Sequence, residues 1–234
     1  MSFNSRTRLM FTAVLVNGLL AGCGKLGPAE YAAYSDRMTP GIFLEETREV
    51  IPRGVSVRKV FPPGLALTKV SEGFVNRAYN DAAGYCTIAY GHLIKKMRCQ
   101  SFPVPSEFRG IITEPKGAEI LQGDMTTAEY AVQKALNLEA TDGQFAALVD
   151  FVFNVGAGNF QKSTLLKRVN ARRFNEVPFE LRRWTKAGGR TFPGLVTRRE
   201  KEIALFFLGS RAPISRGQPT PDQTIDIRLG ESPS

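Results

Sequence analysis

Over residues 142–154 the apolar positions Phe145, Leu148, Val149 and Val152 recur at spacings of three and four, which predicts a helix with a core-facing stripe. Gly156 follows as a natural stop. Thr113 before Glu114 and Pro115, Thr126 with Glu129, and Thr141 with Gln144 each read as an N-terminal cap opening an apolar pattern. Further helices are expected over residues 164–170, 179–185 and 195–208, with Gly188, Gly189 and Gly209 as breaks. Upstream, Leu65, Leu67 and Val70 fit a short helix over residues 63–71, with proline near its start and Gly73 beyond its end. Glu72 then sits at that helix's C-terminal end. Between Tyr79 and Pro105 the pattern changes to Gly84, Tyr85, Thr87, Ile88, Tyr90 and Gly91, β-branched and aromatic residues punctuated by turn formers. A small antiparallel sheet or hairpin is expected there, within a mostly helical α+β domain spanning residues 61–209.

The flanks are patterned differently. Residues 24–60 mix Pro28, Pro40 and Pro52 with charges and sustain no period, which reads as a linker with at most a short helix or strand. Residues 210–234 carry Pro213, Pro219, Pro221 and Pro233 among polar groups, too few apolar side chains to offset ordering entropy, so a disordered or loosely docked tail is expected. At the N-terminus, Arg6 and Arg8 precede an apolar run over residues 9–20, then small residues and Cys23, the layout of a signal segment over residues 1–23. The run is short for a membrane span, which takes about 20 apolar residues. Leu20, Ala21, Gly22 and Cys23 resemble a lipobox, implying a lipid on Cys23 and attachment to the periplasmic side of the membrane through the N-terminus. The alternative is a signal-anchor-release segment, held in the inner membrane and later freed to the periplasm. Both readings export the rest of the chain, where Cys86 and Cys99 can form a disulfide rather than remain buried thiols. Closing so small a loop stabilises by about 3 kcal/mol on the chain-entropy argument.

Composition narrows the partners. The chain has 234 residues, 43% of them hydrophobic, enough to bury one domain's core. With 31 Lys and Arg against 22 Asp and Glu, the net charge of +9 draws the surface to polyanions. Nucleic acid is disfavoured, because zinc-finger spacing and an RNP-like strand are missing and the basic residues are spread along the chain.

Glycosidic cleavage needs one protonated carboxyl for the leaving oxygen and a second carboxylate for the water or the developing cation. Glu72 and Asp81, nine residues apart, run from the helix end into the hairpin, so the chain can turn both toward one cleft, with the Thr87 hydroxyl near enough to fix a water. Such a spacing alone is common, and residues 71–93 make it specific: SEGFVNRAYNDAAGYCTIAYGHL resembles the active-site segment of glycoside hydrolase family 24, the lysozymes of T-even phages. The likeness continues through QFAALVDFVFNVG over residues 144–156, through residues 163–170, and through WTKAGGRTFPGLVTRR over residues 184–199.

The resemblance implies a lysozyme-like fold and an inverting muramidase cutting the β-1,4 bond between N-acetylmuramic acid and N-acetylglucosamine in peptidoglycan. It implies Glu72 as general acid, Asp81 as the carboxylate that activates water and Thr87 as its hydrogen-bonding partner. Inversion requires the two carboxyls to stand roughly 6.5 to 9.5 Å apart. Phe153, Asn154 and Leu93 are implied to bind substrate, and Arg198 or Arg199 to approach the catalytic acid, without a choice between them. His92 matches a structural histidine that ties the hairpin to a carboxylate or carbonyl, and neither a metal nor a cofactor is implied. Ala89 stands where the family usually has glycine, at a position suited to positive φ or to a close approach of the backbone. A monomer acting on peptidoglycan is expected. The competing reading is a non-catalytic peptidoglycan-binding lipoprotein, against which the intact Glu72, Asp81 and Thr87 argue.

Overall fold

A computed structural model describes residues 50–81, 84–210, 212 and 217–231. The signal segment with Cys23 and the first part of the expected linker lie outside the described residues. Helix α1, Pro62–Glu72, opens on two prolines, whose missing N–H groups a first turn does not use. It ends at Gly73, whose φ of 72° suits glycine and whose N–H returns to the Lys69 carbonyl at 3.0 Å. Leu67 and Thr68 face the core, whereas Val70 is 68% exposed and does not belong to the apolar face expected of it.

Strands β1 (Val75–Asn80), β2 (Cys86–Ala89) and β3 (His92–Lys95) form an antiparallel sheet in that order, with Thr87 opposite both Tyr79 and Leu93. All of β2 is buried, and Cys86 is disulfide-bonded to Cys99 just beyond the sheet. Ala89 holds a φ of 59°, so of the two readings of this position the left-handed backbone is the one present, here with a methyl group.

Helix α2, Glu114–Ala135, is capped by the Thr113 side chain and runs unbroken through Thr126. Thr126 therefore caps nothing: its hydroxyl returns to the Gln122 carbonyl one turn back, and Leu121, Met125, Ala128 and Val132 carry the stripe past it. Helix α3, Asp142–Val155, starts on a reciprocal capping box between Thr141 and Gln144 and stops at Gly156, φ 89°. Every residue from Phe145 to Val155 is buried, so the helix shows no outer face. It is the central helix, packed by α1, α2, the short α4 (Ala157–Lys162) and the last helix α7 (Pro193–Phe206). Gly64 of α1 permits a close approach, since a Cβ there would lie 2.6 Å from that of Ala146 on α3.

Helix α5, Thr164–Asn170, matches its expected bounds, while α6 is Val177–Arg182, displaced toward the N-terminus from residues 179–185. Gly188 and Gly189, read as breaks, form the turn of a two-stranded ribbon, β4 (Lys186–Ala187) with β5 (Arg190–Thr191), both with positive φ.

The described residues of both flanks pack against the domain. In the tail, Ile225 and Ile227 are buried, the Ile225 and Ile227 amides donate to the Arg183 and Lys186 carbonyls, and Glu231 accepts from Thr164 and Arg183. The physical reason is the alternation Ile225, Asp226, Ile227, which presents two apolar side chains to one surface. In the linker, Arg58 donates to the Ala140 carbonyl and Asp142 and lies over the Phe145 ring, so the packed region begins before residue 61. Among the described residues, no helix is long and apolar enough to cross a membrane.

Candidate active site

Glu72 is the last residue of α1 and only 3% exposed. Arg198 of α7 donates from Nη1 to Glu72 Oε1 at 2.7 Å. This resolves the choice left open by the sequence, because Arg199 turns elsewhere, donating to Asn154 Oδ1 at 2.6 Å. The remaining edge of the Arg198 guanidinium is held by Asp150 of α3: Nε donates to Oδ2 at 2.9 Å and Nη2 to Oδ1 at 3.0 Å. Thr68 of α1 donates to Asp150 Oδ1 at 2.8 Å. Glu202 completes the group, with Oε1 2.9 Å from Arg199 Nη2, an ionic contact rather than an aligned hydrogen bond. All of these side chains are buried.

Burial pushes the Glu72 carboxyl above its ordinary range, opposed by the charge and hydrogen bond of Arg198 and aided by the negative charge of Asp150. Burial also disfavours the Asp150 anion, yet Arg198, with its charge and hydrogen bonds, holds that carboxyl below its ordinary range. Glu202 is pushed well up by burial, and Arg199 is brought down by burial to about 10. A general acid must keep its proton at neutral pH, and Glu72 occupies the surroundings that favour this.

Asp81 lies outside the buried group, half-buried in the turn between β1 and β2. Its Oδ1 accepts the Tyr85 amide at 2.8 Å, and its own amide donates to the Tyr85 carbonyl at 2.9 Å, so the turn fixes the carboxylate. Thr87 is buried on β2, and its hydroxyl donates to the Tyr85 carbonyl at 3.0 Å. A hydroxyl has one hydrogen and two lone pairs, so Thr87, its hydrogen used inside the hairpin, can still accept a hydrogen from water.

Of the remaining expected residues, Leu93 is half-buried on β3, Phe153 is buried on α3, and Asn154 is buried with its carbonyl oxygen on Arg199. His92 Nδ1 lies 2.9 Å from Asp124 of α2, tying the hairpin to that helix. Among the described residues, no cluster of three or more His, Cys, Asp or Glu is placed to hold a metal ion. Asp150, Thr68 and Glu202 had escaped the sequence reading, although Asp150 left a signal: a lone charge inside the apolar run from Phe145 to Val155.

The phage lysozyme family model matches residues 69–202, which contain Glu72, Asp81, Thr87 and Arg198. The chain is 37% identical over 156 residues to an endolysin of Bacillus phage B103, covering 65% of this chain and 56% of that protein. It therefore spans less than two thirds of that relative's length. It is 36% identical over 174 residues to a SAR-endolysin of bacteriophage PS119, covering 74% of this chain and 99% of that one. A crystal structure of a P22 lysozyme mutant superposes with a TM-score of 0.56 at 30% identity, over 64% of this chain and 98% of that one. The domain has the lysozyme-like α+β fold, and the chain belongs to the phage lysozyme family.

Proposed function

We propose that the protein is a lysozyme, a muramidase that hydrolyses the β-1,4 bond between N-acetylmuramic acid and N-acetylglucosamine in peptidoglycan. The observation that carries this reading is Glu72, a buried carboxyl at a helix end held by Arg198, beside a hairpin that carries Asp81 and Thr87. Glu72 gives its proton to the leaving glycosidic oxygen. A water gives one hydrogen bond to Thr87 and one to Asp81, so its lone pair faces the anomeric carbon, and Asp81 takes the proton as the new C–O bond forms. Leu93, Phe153 and Asn154 are the substrate-binding residues of this reading. Attack opposite the leaving group inverts the anomeric centre, which NMR of the first-formed product reads directly. Glu72→Gln should leave permeabilised cells turbid where the wild type clears them; equal clearing would remove the assignment. A wild type that clears no cells would instead favour a non-catalytic peptidoglycan-binding lipoprotein, a reading that the intact acid pair does not support.

We further propose that the chain works as a monomer on the periplasmic side of the membrane. The disulfide between Cys86 and Cys99 and the SAR-endolysin relatives support export. The N-terminus would associate with the membrane, by a lipid on Cys23 or as a signal anchor later released. Intact mass of membrane-extracted protein separates a lipidated Cys23 from an uncleaved N-terminus.

A further inference from the structure

The buried group around Glu72 holds three carboxyls, Glu72, Asp150 and Glu202, against two guanidiniums, Arg198 and Arg199. A buried cluster resists net charge, so one carboxyl of the three has to carry a proton. Asp150 is the poorest holder of that proton, because Arg198 Nε, Arg198 Nη2 and Thr68 Oγ1 donate to its two oxygens. Glu202 sits 2.9 Å from Arg199 and 3.8 Å from Arg198. Pairing Arg198 side-on with Asp150 leaves Glu72 and Glu202 as the carboxyls able to hold a proton, and burial pushes both of them up.

Building on the assignment of Glu72 as the acid, we infer that Asp150 is a positioning residue for it: side-on pairing neutralises Arg198, so the guanidinium orients Glu72 through Nη1 without stripping its proton. A free cation 2.7 Å from Glu72 would favour the carboxylate and disarm the acid, whereas a compensated one acts mainly as a hydrogen-bond donor. Other charged groups near α1 are already engaged: Lys69 pairs with Glu114, which also accepts from Tyr90, and Asp81 is held in its turn by Tyr85.

The test is Asp150→Asn in the full chain, read in two ways. Titration of the Glu72 carboxyl by carbon NMR, assigned by difference from Glu72→Gln, should fall by about 1 pH unit or more, the usual effect of a close uncompensated cation. The alkaline limb of the kcat/KM profile should fall with it while the acid-side rate persists, which loosened packing alone would not produce. An unchanged Glu72 titration and an unchanged limb would overturn the inference. Where Asp150→Asn does not fold, the doubly neutral Asp150→Asn, Arg198→Gln variant should instead raise the Glu72 titration above the wild type, and a value that does not rise would equally overturn it. Clearing by Glu72→Gln would refute the catalytic assignment, while the carboxyl titration would still decide what Asp150 does to Glu72.

Discussion

Glu72 and Asp81 lie nine residues apart in the chain but on opposite kinds of scaffold. Glu72 ends a helix packed among helices, almost without solvent, and its partner is a guanidinium from 126 positions away. Asp81 sits half-buried in a hairpin turn, and the donor at 2.8 Å is a backbone amide four residues on. The difference teaches how one short segment can supply both the acid and the base of the proposed reaction. Long-range burial makes a carboxyl reluctant to ionise, whereas a local turn only aims one.

Substitutions at the two carboxyls should separate the sides most sharply. Glu72→Gln and Asp81→Ala should each lower lysis by about 10²- to 10⁴-fold, the range for losing a general acid or base. Only Asp81→Ala should also cost about 1 kcal/mol in urea unfolding, for the lost acceptor of the Tyr85 amide. Comparable damage to folding from both would erase the contrast.

The sheet side depends on a covalent tie that the helical side does not use. Replacing Cys86 and Cys99 by serine should remove about 3 kcal/mol. Amide exchange should then quicken in β1 and β2 more than in the centre of α3; uniform quickening would mean that both sides open as one unit.

Gly64→Ala probes the helical side, because the added methyl would meet Ala146 and push α1 from α3. We expect a loss of about 1 to 3 kcal/mol, measured by thermal unfolding, together with reduced lysis, since α1 carries Glu72. Full activity at reduced stability would show that the site tolerates a displaced α1.

The smallest effect is a pH dependence of stability. Glu72 is raised above its ordinary value of 4.5, so between that value and its folded one the native state binds more protons than the unfolded state. Stability from this group therefore falls as pH rises through that window. Asp150 has the opposite sign: lowered from 3.8, it contributes stability above that value and loses it as pH falls. The stability advantage of Glu72→Gln over the wild type should accordingly widen from pH 5 to pH 8. A constant difference would show that Glu72 does not titrate across that range.

Short-range chemistry made much of this protein legible from its sequence. Prolines opening α1, the Thr141 and Gln144 box, glycines 73 and 156, and the turn-rich hairpin each act within a few residues, so the elements follow from local pattern, whereas the register of Glu72, Asp81 and Thr87 rests on the family resemblance of residues 71–93. Tertiary structure alone decided which arginine reaches Glu72, since adjacent residues on one helix point about 100° apart and only the packing of α7 on α1 and α3 selects between them. It likewise gave Asp150 its partners and seated Ile225 and Ile227 against the body of the domain. Those contacts join segments tens of residues apart, and a buried charge or a docked tail is stable only where surfaces built elsewhere in the chain complete it.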